Sequence, residues 1–213
     1  MHICGKPLAI EPFFRGIRST SEVGGVMATF RQSLGNIVSV PLTMTLLWVK
    51  KLFYPQNLYF SGVHRFSPGV VLTTDRKSRI RLGEMVSIHS RGRISAVNGG
   101  KIQIGSRTSF NVGCILASRY SVRIGNNVVF GPNVMIYDHD HIMDKEKGTR
   151  GTGYTFGEVV IGDNCWIGAG TIILKGTHIG NNCLIAAGSV VRADVPDDTL
   201  LVQKRVNTFK GVG

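Results

Sequence analysis

Residues 159–196 read VVIGDNCWIGAGTIILKGTHIGNNCLIAAGSVVRADVP, and an aliphatic side chain returns at every sixth position: Ile161, Ile167, Ile173, Ile179, Ile185 and Val191. A helix repeats near 3.6 residues and a strand near 2, so neither alone gives this period. A chain wound into triangular coils does, with one short strand per side and the aliphatic residue pointing inward. No single coil can bury its own aliphatic residues, so the coils must stack. Sharp corners favour residues that tolerate positive φ. Gly162-Asp163-Asn164 and Gly180-Asn181-Asn182 supply the same corner chemistry one coil apart.

Moving towards the N-terminus, Gly125-Asn126-Asn127 repeats that corner. Ile104, Phe110 and Leu116 keep the spacing of six, as do Ile124, Phe130 and Ile136. Leu82, Ile88 and Ile94 keep it too, before Asn98-Gly99-Gly100 breaks the phase as a turn. One long interruption, residues 137–158, is rich in charge, Gly and His. A coil that tolerates few insertions usually keeps a loop of that length for function. Residues 1–57 lack the repeat. Of these, 1–22 read as loosely ordered, with Pro7, Pro12 and scattered charge, and 26–54 as helical with an interruption near Pro41. The expected organisation is a mainly helical N-terminal extension over 1–57, an all-β parallel β-helix over 58–200 carrying the long loop, and a basic tail over 201–213.

With 213 residues and 43% hydrophobic content, the chain can bury one sizeable core. Its formal net charge of +12 points to an anionic partner: coenzyme phosphates, an acidic polysaccharide, a membrane surface or nucleic acid. The basic residues are scattered and have no interleaved aromatic platform, which argues against nucleic acid. Cys4, Cys114, Cys165 and Cys183 show no metal-ligand spacing. Cys165 and Cys183 lie one coil apart and should stack about 4.8 Å apart as small core side chains. The thiols are read as reduced and the compartment as cytoplasmic. The first twenty residues lack the continuous apolar stretch of a secretion leader. The most apolar segment, residues 37–49, is too short to span a bilayer and is followed by Lys50 and Lys51. It reads either as a helix packed on the core or a neighbouring subunit, or as a segment lying peripherally on anionic lipid.

The quoted stretch resembles the left-handed parallel β-helix acyltransferases of the hexapeptide-repeat superfamily. Within it, the similarity is to sugar O-acetyltransferases acting on maltose, galactosides, capsule and lipopolysaccharide, and it covers about residues 58–200. The resemblance implies the left-handed sense, which spacing alone does not give. It also implies a homotrimer with sites between subunits, acetyl-CoA as co-substrate, no metal, and a carbohydrate acceptor. The acceptor expected is a capsule, O-antigen or polysialic-acid-like polysaccharide, ahead of a small free sugar or an antibiotic.

The same resemblance implies a histidine general base, whose ordinary pKa near neutrality suits the task. The loop segment YDHDHIMD offers His139 and His141. Counted without gaps from the Ile124-Gly125-Asn126 corner, the resemblance places the base at His141 and an acceptor-binding Asn at Asn111, with His139 also at the acceptor. Asp138, Asp140 or a backbone carbonyl would orient the imidazole. Trp166 would wall the acceptor or pantetheine groove. Backbone N–H groups near Gly168 and Ala169 would meet the oxyanion, with Ala187 further along the groove. Arg192, Lys204 and Arg205 would meet the coenzyme phosphates. Two departures bear on those contacts. Ala193 stands where a basic residue is common, and LVQKRVNTFKGVG replaces the usual tail. His64, His89 and His178 show no ligand spacing. No cysteine stands beside the proposed base, so no acyl-enzyme is expected. A non-catalytic coiled scaffold would use the same flat faces. The coincidence of the loop, His141, Asn111 and Trp166 argues against it.

Overall fold

Each inward-pointing aliphatic residue of the repeat lies in one of three parallel sheets, which form the sides of a prism. The computed structural model describes the backbone of residues 22–204 and the side chains of residues 38–204. The stretch 1–21, Cys4, Arg205 and the rest of the tail lie outside the described residues. Face A stacks Leu58–Phe60, Arg79–Leu82, Lys101–Ile104, Ser121–Ile124, Val159–Ile161 and His178–Ile179. Face B stacks Arg65–Phe66, Ser87–Ile88, Ser109–Phe110, Val129–Phe130, Trp166–Ile167, Leu184–Ile185 and Leu200–Leu201. Face C stacks Val71–Thr74, Arg93–Ala96, Ile115–Ser118, Met135–Tyr137, Ile172–Ile173 and Val190–Val191. The chain visits A, B and C in turn, and about six coils pile up as a left-handed parallel β-helix.

The rise of the coil changes along the chain. Ile161 pairs with Ile179 at the ideal step of 18 residues. Earlier steps are longer: Leu58 to Ile80 and Ile80 to Ile102 take 22, and Ile102 to Val122 takes 20. The extra residues are turns at the corner between faces C and A. Asp75 organises two of them, accepting from Lys77 N at 3.0 Å and from Asn98 N at 2.6 Å. The step from Val122 to Val159, 37 residues, contains the long loop.

The Gly-Asn corners form two ladders along the edge between faces A and B. Asn127, Asn164 and Asn182 hold φ near +56°, a conformation Asn tolerates better than most residues. Each side-chain amide donates to the next rung: Asn127 Nδ2 to Asn164 Oδ1 at 3.0 Å, Asn164 Nδ2 to Asn182 Oδ1 at 3.1 Å, and Asn182 Nδ2 to Asp198 Oδ1 at 2.9 Å. Beside it, Asn126, Asp163, Asn181 and Asp197 each accept the backbone N–H of the rung below at 2.6–2.8 Å. The corners thus satisfy backbone donors that a bare turn would leave to water.

Inside, the prism is filled by apolar side chains. Phe110 and Phe130 stack at 4.5 Å in the column of face B, and Ile80, Ile102, Leu116, Ile136 and Ile161 are fully buried. Each buried aliphatic residue contributes about 2 kcal/mol of transfer free energy. Cys165 and Cys183 occupy successive rungs and donate to the carbonyls of Gly180 and Pro196, each at 3.0 Å.

The chain divides into two compact units, 1–37 and 38–213. One helix, α1, runs Glu22–Phe53 across that division. Within the second unit its C-terminal part covers the first coil: Leu47 is 1% exposed, Thr43 Oγ1 accepts from Phe66 N at 2.8 Å, and Trp48 meets Phe60 edge to face. The expected interruption at Pro41 does not occur. The Pro41 ring faces solvent, and the anchors at Thr43 and Leu47 hold the helix despite the hydrogen bond that proline removes. At the other end of the prism Gln203 imitates a strand. Its amide oxygen accepts from Val190 N at 3.0 Å and its Nε2 donates to Val190 O at 2.7 Å. Both open ends are therefore closed, as solenoids require. No described helix is long and apolar enough to cross a membrane.

Candidate active site

The loop leaves the prism where face C ends. Its base is fixed by Asp138, which is wholly buried. Asp138 Oδ2 accepts from Ser118 Oγ at 2.6 Å and Tyr120 N at 2.9 Å, and Oδ1 accepts from Arg119 N at 2.9 Å. A carboxylate so supplied tolerates burial. Gly157 N donates to the Asp138 carbonyl at 3.0 Å and pins the returning strand. Between them, His139–His141 and Tyr154–Phe156 form an antiparallel hairpin, with His139 opposite Phe156 and His141 opposite Tyr154. Strand alternation places His139, His141, Tyr154 and Phe156 on one face and Asp140 with Thr155 on the other.

The two histidines differ in setting. His139 Nδ1 lies 2.8 Å from Asp138 Oδ1, its side chain 14% exposed. A carboxylate only accepts, so Nδ1 carries the proton and Nε2 keeps the lone pair when the ring is neutral. His141 is exposed and leans on the Tyr154 ring at 4.4 Å, and Arg119 stacks on that tyrosine with Cζ 4.1 Å from the centroid. Of the carboxylates expected to orient the base, Asp138 holds His139. Asp140 turns to Lys175 at 3.5 Å. Arg119 and Tyr154 escape sequence reasoning: one sits in a turn and the other opposite His141 across a hairpin whose register only the fold reveals.

The expected acceptor and thioester groups gather at the opposite edge of face C, where face B ends. Asn111, Gly131, Gly168 and Ala186 follow successive strands of face B and stack there. Asn111 is exposed, and its side-chain oxygen accepts from Val112 N at 2.7 Å. Trp166 stands on face B beside this edge, 55% exposed, between Val129 and Leu184. Gly168 is required by close approach: a Cβ there would lie 2.5 Å from Ala187 N. Its N–H is committed to Ile185 O at 2.8 Å, whereas the N–H groups of Ala169 and Ala187 have no partner among the described residues. Arg192 and Lys204 are exposed on the other side of face C. Arg192 follows the strand Val190–Val191, and Lys204 follows Gln203, which lies over Val190. A single protomer therefore separates the histidine hairpin, Arg192 and Lys204 from Asn111, Trp166, Gly168, Ala169 and Ala187. Face C lies between the two sets; its first rungs present Thr73, Arg93 and Ser95 outward, and its later rungs are apolar outward, with Ile115, Ala117, Met135, Ile172, Leu174 and Val190. Among the described residues no three His, Cys, Asp or Glu side chains gather as a metal set.

A left-handed prism of six-residue sides with one protruding hairpin defines the class of hexapeptide-repeat proteins, and comparison with known sequences agrees. Residues 158–193 match the family model described as bacterial transferase hexapeptide (six repeats). The chain is 43% identical over 140 residues to Nodulation protein L of Rhizobium leguminosarum bv. viciae, covering 65% of this chain and 67% of that protein. It is 36% identical over 116 residues to a galactoside O-acetyltransferase of Lactococcus lactis, covering 51% of this chain and 56% of that one. Among solved structures, AntD, an N-acyltransferase from Bacillus cereus solved with dTDP and 3-hydroxybutyryl-CoA, shares the fold. Its TM-score is 0.57 at 20% identity, covering 71% of this chain and 80% of that one. The chain belongs to the hexapeptide-repeat transferase family. It spans about half the length of several curated relatives it matches, such as the 50% covered of a putative acetyltransferase from Schizosaccharomyces pombe.

Proposed function

We propose that this protein transfers acetyl from acetyl-CoA to a hydroxyl of a carbohydrate, as a homotrimer with one site between each pair of protomers. The observation that carries the reading is the split site: the histidine hairpin at one edge of an apolar face and a groove of small residues at the other. In a threefold ring with face C towards the axis, each protomer's hairpin edge meets the next protomer's groove edge. His141 would then face Trp166 and Ala169 of its neighbour, and Arg192 and Lys204 would flank the thioester's phosphate-bearing end.

In this reading His141 takes the acceptor hydroxyl's proton as the oxygen attacks the thioester carbonyl. The tetrahedral oxyanion is met by the unpartnered N–H of Ala169. Collapse breaks the carbon–sulfur bond, and the proton on the imidazole returns to the departing sulfur. Trp166 supplies an apolar plane for the sugar ring, and Asn111 a polar contact to its hydroxyls. The acceptor class we favour is a bacterial surface polysaccharide, reached from the cytoplasmic side. A second reading makes His139 the base, favoured by its bond to Asp138. Release of CoA, read with a thiol reagent over a panel of bacterial polysaccharides, decides between them. The proposal expects His141→Ala to lose about 100-fold or more. A His139→Ala variant of near wild-type activity beside it supports His141, an inactive His139→Ala with an active His141→Ala moves the base to His139, and wild-type release by both variants overturns the chemistry.

A further inference from the structure

Face A carries a recessed basic trough that the transfer chemistry does not use. Its volume is about 400 Å³, and Arg79, Arg81, Lys101, Arg123, Tyr120 and Glu158 line it. Strand register sets the cations in two columns. Arg79 pairs with Lys101 directly across the ladder, and Arg81 and Arg123 flank Gln103 on the next outward position. Arg123 has a carboxylate partner, Glu158, at 2.9 Å. Arg79, Arg81 and Lys101 have none among the described residues. Like charges placed opposite each other on a ladder destabilise it, and adjacent rungs are only about 4.8 Å apart. A bound polyanion would relieve that repulsion.

We infer that the trough holds a carboxylate-bearing polysaccharide acceptor and leads it to the histidine hairpin. This deepens the transfer reading and rests on it for the acceptor's role. Three features select the ligand class. Guanidinium groups match carboxylates in bidentate geometry. Gln103 adds a neutral hydrogen-bonding amide in the trough, which suits sugar hydroxyls. The trough is also continuous with the candidate site. Tyr120 on its wall lies 6.1 Å from Phe156, Phe156 lies 6.4 Å from Tyr154, and Tyr154 carries the His141 ring. With face C turned to the threefold axis, face A stays on the outside of the ring beside the hairpin, open to a long chain.

The test is calorimetric titration of the full chain with oligogalacturonate, without thioester, so that its outcome is independent of transfer. The wild type should bind oligogalacturonate, more weakly at higher salt, and should ignore dextran fragments of matched length. Arg79→Gln/Lys101→Gln should weaken binding about tenfold or more. Removing two cations elsewhere, by Arg91→Gln/Arg107→Gln, should change it less than about twofold. Circular dichroism confirms that each variant is folded, and Arg79→Lys, which keeps the charge but loses the bidentate geometry, should bind more weakly than the wild type and more tightly than Arg79→Gln/Lys101→Gln. Equal affinity in both double variants, equal binding of dextran, or tighter binding of phosphatidylserine vesicles or single-stranded DNA at the same residues overturns the assignment. If oligogalacturonate binds as described while His141→Ala and His139→Ala both turn over normally, the transfer reading fails and the trough stands.

Discussion

Asp138 Oδ1 lies 2.8 Å from His139 Nδ1, and the same carboxylate accepts from the backbone of Arg119 and Tyr120. One buried acid thus ties together a prism corner, the preceding turn and the first residue of the histidine hairpin. Asp138→Asn keeps the shape but sets an amide NH2 against N–H donors. It should destabilise the protein by roughly 2–4 kcal/mol, measured as a fall in the urea midpoint. His139→Ala removes one partner of several and should cost less than about 1 kcal/mol. Equal losses in the two variants would contradict the keystone role of Asp138.

His64 is buried between Phe60 and Phe66 under α1, and neither ring nitrogen makes a well-formed hydrogen bond. Burial lowers its pKa, and the nearby backbone of Val86 and Ser61 offsets this only in part. The folded state therefore disfavours the charged ring. Its contribution is complete above the unfolded value of about 6.5 and is lost as pH falls from there towards the lower folded value. The melting temperature should drop between pH 7.5 and 5, and His64→Phe should flatten that slope. An unchanged slope would show that other groups set it.

The described thiols should be inert. Burial raises the pKa of Cys114, and pushes that of Cys165 up to about 11. Thiolate is the reactive form, so neither should react at pH 8 until the prism is unfolded. Mass spectrometry after alkylation with and without denaturant checks this, and modification of either in native protein would refute it.

Gly168→Ala places a Cβ 2.5 Å from Ala187 N and must push two rungs apart. A loss of roughly 1–3 kcal/mol is expected, read by thermal unfolding. The substitution should also raise the KM for acetyl-CoA, because the groove narrows. A silent substitution would place the pantetheine elsewhere.

Much of the fold is legible in the chain. The six-residue period from Ile161 and the Gly-Asn corners specify stacked triangular coils, and the corner ladders of Asn127, Asn164 and Asn182 explain why those residues recur. The earlier coils read less clearly because turns such as Asp75–Ser78 add residues without moving the inward column. Pro41 misleads because proline's local cost is outweighed by tertiary anchors at Thr43 and Leu47. The hairpin histidines are visible as a motif. Asp138 is visible among the candidate partners as a neighbour in sequence, whereas Ser118, Arg119 and Tyr154 are not, because they come from other segments. Arg192 and Gly168 illustrate the geometric limit. Ala186 stacks over Gly168, and Arg192, six residues further, has turned onto the next face. Residues that sound contiguous in the sequence thus lie on opposite edges of face C.

Subunit complementation tests the split site most directly. His141→Ala lacks the hairpin half and Gly168→Val lacks the groove half, so each alone should be nearly inactive. Co-expressed at equal levels, they should form the proposed trimers in mixed composition, in which one interface joins an intact hairpin to an intact groove. CoA release should then recover to about a quarter of the wild-type rate, as random threefold assembly dictates. Activity no greater than the sum of the two separate variants, in trimers shown to be mixed, would contradict a site shared between protomers.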